Sequence, residues 1–157
     1  MTSQTNRIEV TLESLIESVD LAEAIVMRIC DAAGFGDEDS HKIGMSVREG
    51  VINAFHYGNR EERQKKILLT VELNPEKLIV RVLDEGPGFV VEEVPDPLSE
   101  ENLLRTSGRG IFLMRAFMDE FAVNLPAQGG AEVVMAKRLP AVPDGNGDLR
   151  NARDKES

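Results

Sequence analysis

The 157-residue sequence contains one cysteine, one tyrosine and no tryptophan, and its scarce residues exclude several classes of protein. The single cysteine, Cys30, allows no intrachain disulfide, which favours a reducing compartment. Together with His41 and His56 it is too small a set for a structural zinc site. No run of about 18 apolar residues occurs, and residues 1–9 lack the apolar segment of a signal peptide. We therefore expect a cytoplasmic protein without a membrane segment.

The sequence also has few basic residues: 28 acidic residues outnumber 18 basic ones and give a net charge of −10. The field of such a protein opposes nonspecific binding to nucleic acid and to anionic membranes. It is compatible with a basic protein partner. It is also compatible with a nucleotide whose phosphates are neutralised locally by Mg²⁺, backbone amides and an arginine. The length and the 41% hydrophobic content are typical of one globular domain.

The hydrophobic pattern predicts an α+β fold. Alternating apolar residues predict five strands, over 7–12, 67–73, 78–83, 121–125 and 132–137. Helical spacing predicts three helices with their exits, over 14–33, 40–59 and 107–120. Ser40 is the predicted N-cap of the central helix, and Gly34 the predicted C-terminal cap of the first. Helices on one face of a mixed, mainly antiparallel sheet form a two-layer sandwich. Residues 140–157 are predicted to be a disordered tail.

The central helix carries the first candidate site. Glu49 and Asn53 lie one turn apart, on the side opposite the apolar positions of the helix. An amide oxygen is a hard ligand suited to a metal-bound phosphate, and a carboxylate can accept a proton. The alternative is a solvated polar stripe, which most surface helices show. The helix alone does not distinguish the two interpretations.

Two glycine-containing stretches are the other candidate sites. Asp84-Glu-Gly-Pro-Gly88 follows a predicted strand, and its aspartate can accept a hydrogen bond from an exocyclic amine. Gly86 within it allows another group to approach the backbone closely. Gly108-Arg-Gly110 opens a predicted helix, where free N–H groups and the arginine favour a phosphate. The alternatives are a tight turn with a solvated aspartate and a flexible loop.

In order and spacing, the three stretches resemble the N, G1 and G2 boxes of the histidine-kinase-like ATPase superfamily, which has the GHKL or Bergerat fold. Within it, the sequence is most similar to the anti-sigma factor serine/threonine kinases of bacterial partner-switching systems. The matching segments are 47–54, 84–89, Asp96-Pro97 in a connection that resembles a lid, and 107–120, which is the most specific. The resemblance covers about residues 7–139 and defines one ATPase domain.

The resemblance implies that ATP and Mg²⁺ are the cofactors, and it gives each motif residue a role. Glu49 would be the base that takes a proton from the attacking hydroxyl, and Asn53 would be the Mg²⁺ ligand. Asp84 would bind the adenine amino group. Gly86 and Gly88 would shape the adenine pocket. The phosphates would be contacted by Gly108, Arg109 and Gly110.

One departure from the family pattern concerns adenine. Many members of the family have a threonine near the start of the last strand that helps to hold adenine. The corresponding stretch here is Gly129-Gly-Ala-Glu132. The departure bears on nucleotide affinity rather than on the fold.

The leading functional hypothesis is an ATP-dependent kinase that phosphorylates a Ser or Thr of a small anti-anti-sigma protein with a STAS domain. By resemblance it would also sequester a sigma factor or a similar client and form a homodimer. One alternative is a nucleotide-dependent partner-binding module without catalysis, and another is a partner-binding domain without nucleotide. A complete sensor histidine kinase is disfavoured, because neither His41 nor His56 is placed as a phosphoacceptor on a dimerising helix.

Overall fold

The computed structural model describes residues 5–86 and 106–140, with side chains described from Arg109 onward in the second range. Gly88, the segment with Asp96-Pro97 and the predicted tail lie outside these ranges. The five strands are β1 Asn6–Glu13, β2 Lys66–Leu73, β3 Lys77–Leu83, β4 Glu120–Asn124 and β5 Glu132–Arg138. The helices are α1 Glu17–Ala33, α2 Asp37–Asn53 and α3 Thr106–Phe117, and a π-helical turn, Ala54–Gly58, continues α2.

The strands form one sheet in the order β1-β2-β3-β5-β4, and all four pairings are antiparallel. Strand β1 lies at an edge of the sheet. The β3–β5 pairing brings Val82 opposite Val133 and Leu83 opposite Glu132, so the end of β3 lies beside the start of β5. The predicted α+β two-layer sandwich is confirmed, and this pairing sets the position of Asp84.

The core lies between the helices and one face of the sheet. Alternate strand residues are fully or almost fully buried on that face, namely Ile67, Leu69 and Val71 of β2 and Leu78, Val80 and Val82 of β3. Gly50 of α2 marks a close approach, since a Cβ there would lie 3.4 Å from Cε of Met135 and 3.5 Å from Cγ2 of Val82. It would also lie 3.8 Å from the sulfur of Met114 in α3. Helix α2 is therefore the central element, in contact with β3, β5 and α3.

The helix ends partly differ from the predictions. Helix α1 ends as predicted, with Gly34 left-handed at φ 87°. The predicted N-cap Ser40 is wrong, because α2 begins at Asp37 with Gly36 as its N-cap and Ser40 lies inside the helix. Three consecutive acidic residues, 37–39, occupy the first turn of α2, where the helix dipole favours negative charge.

Three further positions bear on the helices and the core. Helix α1 begins at Glu17 rather than at Ser14, because the backbone N–H of Leu15 donates to the carbonyl of Glu13 in a preceding turn. Ala116 is exposed on α3. Cys30 is completely buried and belongs to the hydrophobic core. Among the helices that the structure describes, none is both long and apolar enough to cross a bilayer.

Candidate functional site

Helices α2 and α3 meet at three of the predicted site residues. A Cβ on Gly110 would lie 2.9 Å from Oε2 of Glu49 and 3.1 Å from Nδ2 of Asn53. Glu49 is only 8% exposed and Asn53 is half-buried, which excludes a solvated polar stripe. The close approach of α3 requires the absence of a side chain at Gly110. The first and third candidate sites are therefore one site.

Asn53 presents an atom that fits a metal ion. Its Oδ1 is buried and has no hydrogen-bond partner among the residues that the structure describes. A buried amide oxygen without a partner is energetically costly, and each such atom calls for an explanation. Because an amide oxygen is a hard ligand, Mg²⁺ is a chemically suitable partner. The donor fits the metal that the family resemblance implies.

Burial is the largest influence on the pKa of the Glu49 carboxyl. Burial raises the pKa of the Glu49 carboxyl above its ordinary value, and the positive charges of Arg109 and Arg48 act in the opposite direction. Arg48 is itself held by Asp20 and Glu23 of α1, at 2.6 and 3.0 Å. A raised pKa brings a carboxylate closer to the range in which it is an efficient general base. Arg109 is exposed at the start of α3, close enough for its charge to act on Glu49.

Asp84 follows β3 and is buried rather than solvated, with 6% of the residue exposed. Its Oδ1 accepts hydrogen bonds from the backbone N–H groups of Gly86, at 2.9 Å, and of Ala131, at 3.1 Å. Burial raises the pKa of the Asp84 carboxyl, while these two N–H groups and the charge of Lys65 act to lower it. The arrangement is a desolvated carboxylate in a defined orientation, not an aspartate in an open turn.

Three glycines lie close together around Asp84, and one of them, Gly58, lies directly against its carboxylate. A Cβ on Gly58 would overlap the Asp84 carboxylate, and a Cβ on Gly86 would overlap the carbonyl of Gly58. Gly130, at φ 85°, lies so close to the carbonyl oxygen of Asp84 that a Cβ there would overlap it. Close approach of the backbone at each position therefore requires glycine.

Gly58 and Gly130 belong to the site, although neither lies in one of the three stretches that the sequence pattern singles out. No local signal marks them, because their role depends on contact with the distant Asp84. Ala131, which donates to Asp84, lies in the stretch that replaces the family threonine. A backbone N–H therefore contacts the carboxylate from the residue that directly precedes β5.

The π-helical turn links the two halves of the site. Asn53 is the last residue of α2, and Gly58 is the last residue of the turn that follows. The α2 segment therefore contacts α3 at one end of the turn and Asp84 at the other. Gly108 belongs to the first turn of α3. Its surroundings and the whole of Gly88 lie outside the part of the chain that the structure describes.

Most of the chain is similar to known proteins. The family model of the histidine kinase-like ATPase domain matches residues 12–137. The serine-protein kinase RsbW of Listeria innocua is 29% identical over 145 residues, which cover 88% of this chain and 91% of the relative. The anti-sigma F factor of Clostridium acetobutylicum is 26% identical over 141 residues, covering 88% of this chain and 98% of the relative.

Solved structures show the same fold. A Mycobacterium tuberculosis structure of RsbU and RsbW domains superposes with a TM-score of 0.63 at 18% identity, over 87% of this chain and 34% of that one. The SiaB–SiaC complex of Pseudomonas aeruginosa gives a TM-score of 0.59 at 12% identity, over 84% of this chain and 88% of that one. The predicted resemblance to anti-sigma factor serine/threonine kinases is confirmed by the named relatives. The chain belongs to the histidine kinase-like ATPase family.

Proposed function

We propose that the protein is an ATP-dependent serine/threonine protein kinase of a partner-switching system. Its substrate is a Ser or Thr of an antagonist of the anti-anti-sigma, STAS-domain type, and its second partner is a sigma factor or a similar client. The observation that carries the proposal is the contact of Gly110 with both Glu49 and Asn53, beside the unpartnered Oδ1 of Asn53. The contact supports a site in which Glu49 would be the base, Asn53 would be the metal ligand and the first turns of α3 would bind the phosphates.

The chemistry of phosphoryl transfer requires positioning and charge neutralisation more than covalent participation by the protein. When bound, Mg·ATP supplies the phosphoryl group. Asn53 Oδ1 would hold the metal, and the first turn of α3 with Arg109 would attract the phosphates. Glu49 would take the proton of the attacking hydroxyl, a role that its raised pKa supports.

Adenine recognition is assigned to Asp84. Its Oδ1 is engaged by two backbone N–H groups, which orient the carboxylate. The remaining oxygen, Oδ2, would accept a hydrogen bond from the exocyclic amine of adenine. Gly58 and Gly86 keep the surrounding space free of side chains.

The relatives support both halves of the proposal. One is named a serine-protein kinase and another an anti-sigma F factor, and each aligns over most of both chains. The net charge of −10 favours a protein client over nucleic acid. A kinase that also binds its client would combine the two named activities in one domain.

Calorimetric titration of Mg·ADP and Mg·ATP into the wild type and into Asp84→Asn tests the nucleotide site. In the variant, the amide oxygen can still accept from Gly86 and Ala131, whereas the other position becomes an N–H₂ donor that opposes the adenine amine. We expect saturable binding by the wild type and at least about tenfold weaker binding by the variant. No binding by a folded wild type would contradict the proposal.

Phosphate transfer separates the kinase from a non-catalytic nucleotide switch. The purified protein is incubated with Mg·ATP and a STAS-domain antagonist, and the mass of the antagonist is measured. We expect a phosphorylated antagonist with the wild type and none with Glu49→Ala, while nucleotide binding persists. Undiminished transfer by Glu49→Ala would exclude Glu49 as the base. Nucleotide binding without transfer by the wild type would favour the non-catalytic module.

A further inference from the structure

Asn59 is a completely buried polar residue directly after the π-helical turn. Its Nδ2 donates to the carbonyl of Lys66 at 3.0 Å and to Oγ of Ser14 at 3.3 Å. Its Oδ1 accepts from the backbone N–H of Glu85 at 2.8 Å. One buried side chain therefore connects the turn before α1, the start of β2 and the residue that follows Asp84.

The contacts of Asn59 close into a ring. The side chain of Glu85 accepts a hydrogen bond from the backbone N–H of Lys66, at 2.6 Å. Asn59 thus donates to Lys66, Lys66 donates to Glu85, and Glu85 donates to Asn59. We call these three residues the Asn59 ring. Each member is held by two hydrogen bonds within the ring, so displacement of one disturbs both others.

The Asn59 ring borders Asp84 from two directions. Asn59 follows Gly58, which lies directly against the Asp84 carboxylate. Glu85 follows Asp84 itself, and the next N–H group, that of Gly86, donates to Asp84 Oδ1. The ring therefore fixes the backbone on both sides of the carboxylate.

The turn beside the ring is strained. Arg60 and Glu61 have positive φ angles of 51° and 60°, which L side chains rarely adopt. Two backbone bonds hold the turn, from Asn59 N–H to the Ala54 carbonyl at 2.7 Å and from Glu61 N–H to the Phe55 carbonyl at 2.8 Å. Such conformations persist only where the surrounding contacts enforce them, and they concentrate at functional sites.

We propose that Asn59 is a positioning residue for Asp84. Through the ring it holds residues 84–86 in the geometry that binds adenine before the nucleotide binds. The proposal rests on the proposed nucleotide site. A preorganised loop does not have to be ordered on binding, so its ordering cost is removed from the binding free energy. Loss of the ring should weaken nucleotide binding without changing the groups that touch the nucleotide.

The test uses two positions of the ring, Asn59 and Glu85. Asn59→Ala removes a completely buried side chain, whereas Glu85→Ala removes an exposed one. Glu85→Gln keeps an oxygen acceptor for Lys66 and serves as the conservative variant. Ser14→Ala removes only the longest contact of Asn59 and serves as the control. Each full-length protein is titrated with Mg·ADP, and its backbone amide exchange is measured without ligand.

We expect Glu85→Ala to raise the Kd for Mg·ADP by about three- to tenfold, which corresponds to the one side-chain hydrogen bond that the variant removes. The amide of Gly86 should exchange faster, whereas that of Val80 in the middle of β3 should not change. Glu85→Gln and Ser14→Ala should stay within about twofold of the wild type. Asn59→Ala should show the larger effect in the same direction.

The proposal is overturned by a wild-type Kd and unchanged Gly86 exchange in Glu85→Ala. It is also overturned if Gly86 and Val80 accelerate equally, since that result indicates a general loss of stability. If Asn59→Ala does not fold, Glu85→Ala and Glu85→Gln decide alone. Failure of the wild type to bind Mg·ADP would refute the nucleotide site, and ligand-free exchange of Gly86 would still show whether the ring fixes the loop.

Discussion

Asp84 and Ala131 are joined by a reciprocal pair of hydrogen bonds. The N–H of Ala131 donates to Oδ1 of Asp84, and the N–H of Asp84 donates to the carbonyl of Ala131, each at 3.1 Å. The carboxylate is thus held by the backbone of the residue that directly precedes β5. The spacing of the backbone around Asp84 therefore sets the orientation of its carboxylate.

Gly58→Ala should weaken nucleotide binding while leaving the fold intact. The added Cβ would overlap the Asp84 carboxylate and displace it. We expect at least about tenfold weaker binding of Mg·ADP, measured by calorimetry. Gly36→Ala is the control, since φ there is −72° and no atom lies within 4 Å of the added Cβ. Equal affinities of the two variants would show that this contact has no role in binding.

Gly110→Ala should reduce phosphate transfer more than it reduces ADP binding. Its Cβ would press on Glu49 Oε2 and Asn53 Nδ2, which face α3. We expect at least about a tenfold loss of transfer rate, because small misplacements of reacting groups are costly. Helix stability should not fall, since alanine is a better helix former than glycine.

The control for Gly110→Ala is Gly44→Ala in α2. Its Cβ would make an equally close contact, 2.9 Å, but with the sulfur of the flexible Met27 side chain. Normal transfer in Gly44→Ala and loss in Gly110→Ala would assign the effect to Glu49 and Asn53. A normal rate in Gly110→Ala would contradict the assigned α2–α3 site.

Glu49→Gln should stabilise the protein at neutral pH. Burial raises the folded-state pKa of Glu49, so its contribution to stability is full below the ordinary pKa of 4.5 and is lost as pH rises through the raised value. At neutral pH the ionised buried carboxylate therefore opposes folding, and glutamine removes that cost. Urea unfolding should show a gain in the free energy of unfolding that shrinks as pH falls toward 4.5.

The control for Glu49→Gln is the exposed Glu76→Gln, for which we expect no such pH-dependent gain. A Glu49→Gln variant that is less stable than the wild type at neutral pH would contradict the burial argument. It would show instead that the charges of Arg109 and Arg48 outweigh burial in stabilising the ionised form.

Cys30 should be unreactive in the folded protein. It is completely buried, and burial together with the charge of Asp31 raises the pKa of its thiol to about 11. Because the thiolate is the reactive form, iodoacetamide should label Cys30 at pH 8 only after unfolding in urea. Mass spectrometry across a urea series should give a labelling midpoint that coincides with the unfolding transition. Full labelling of the folded protein would show that α1 opens locally.

The sequence predicted the strands well, because alternation along a strand reports its buried face directly. The prediction was weaker wherever contacts between distant segments decide the outcome. Ser40 has the chemistry of an N-cap, yet the three acidic residues before it extend α2 by one turn. The roles of Gly58 and Gly130 depend on their contact with Asp84, which only the β3–β5 pairing and the π-helical turn bring about.

The π-helical turn also makes the length of this segment critical. Each residue of an α-helix advances about 100° around its axis. Deletion of one residue within Ala54–Gly58 would restore regular winding but rotate Gly58 away from Asp84. Asn59 would lose its ring at the same time. In homologous sequences we therefore expect insertions and deletions in the exposed stretch that begins at Arg60, and a constant number of residues between Asn53 and Asn59.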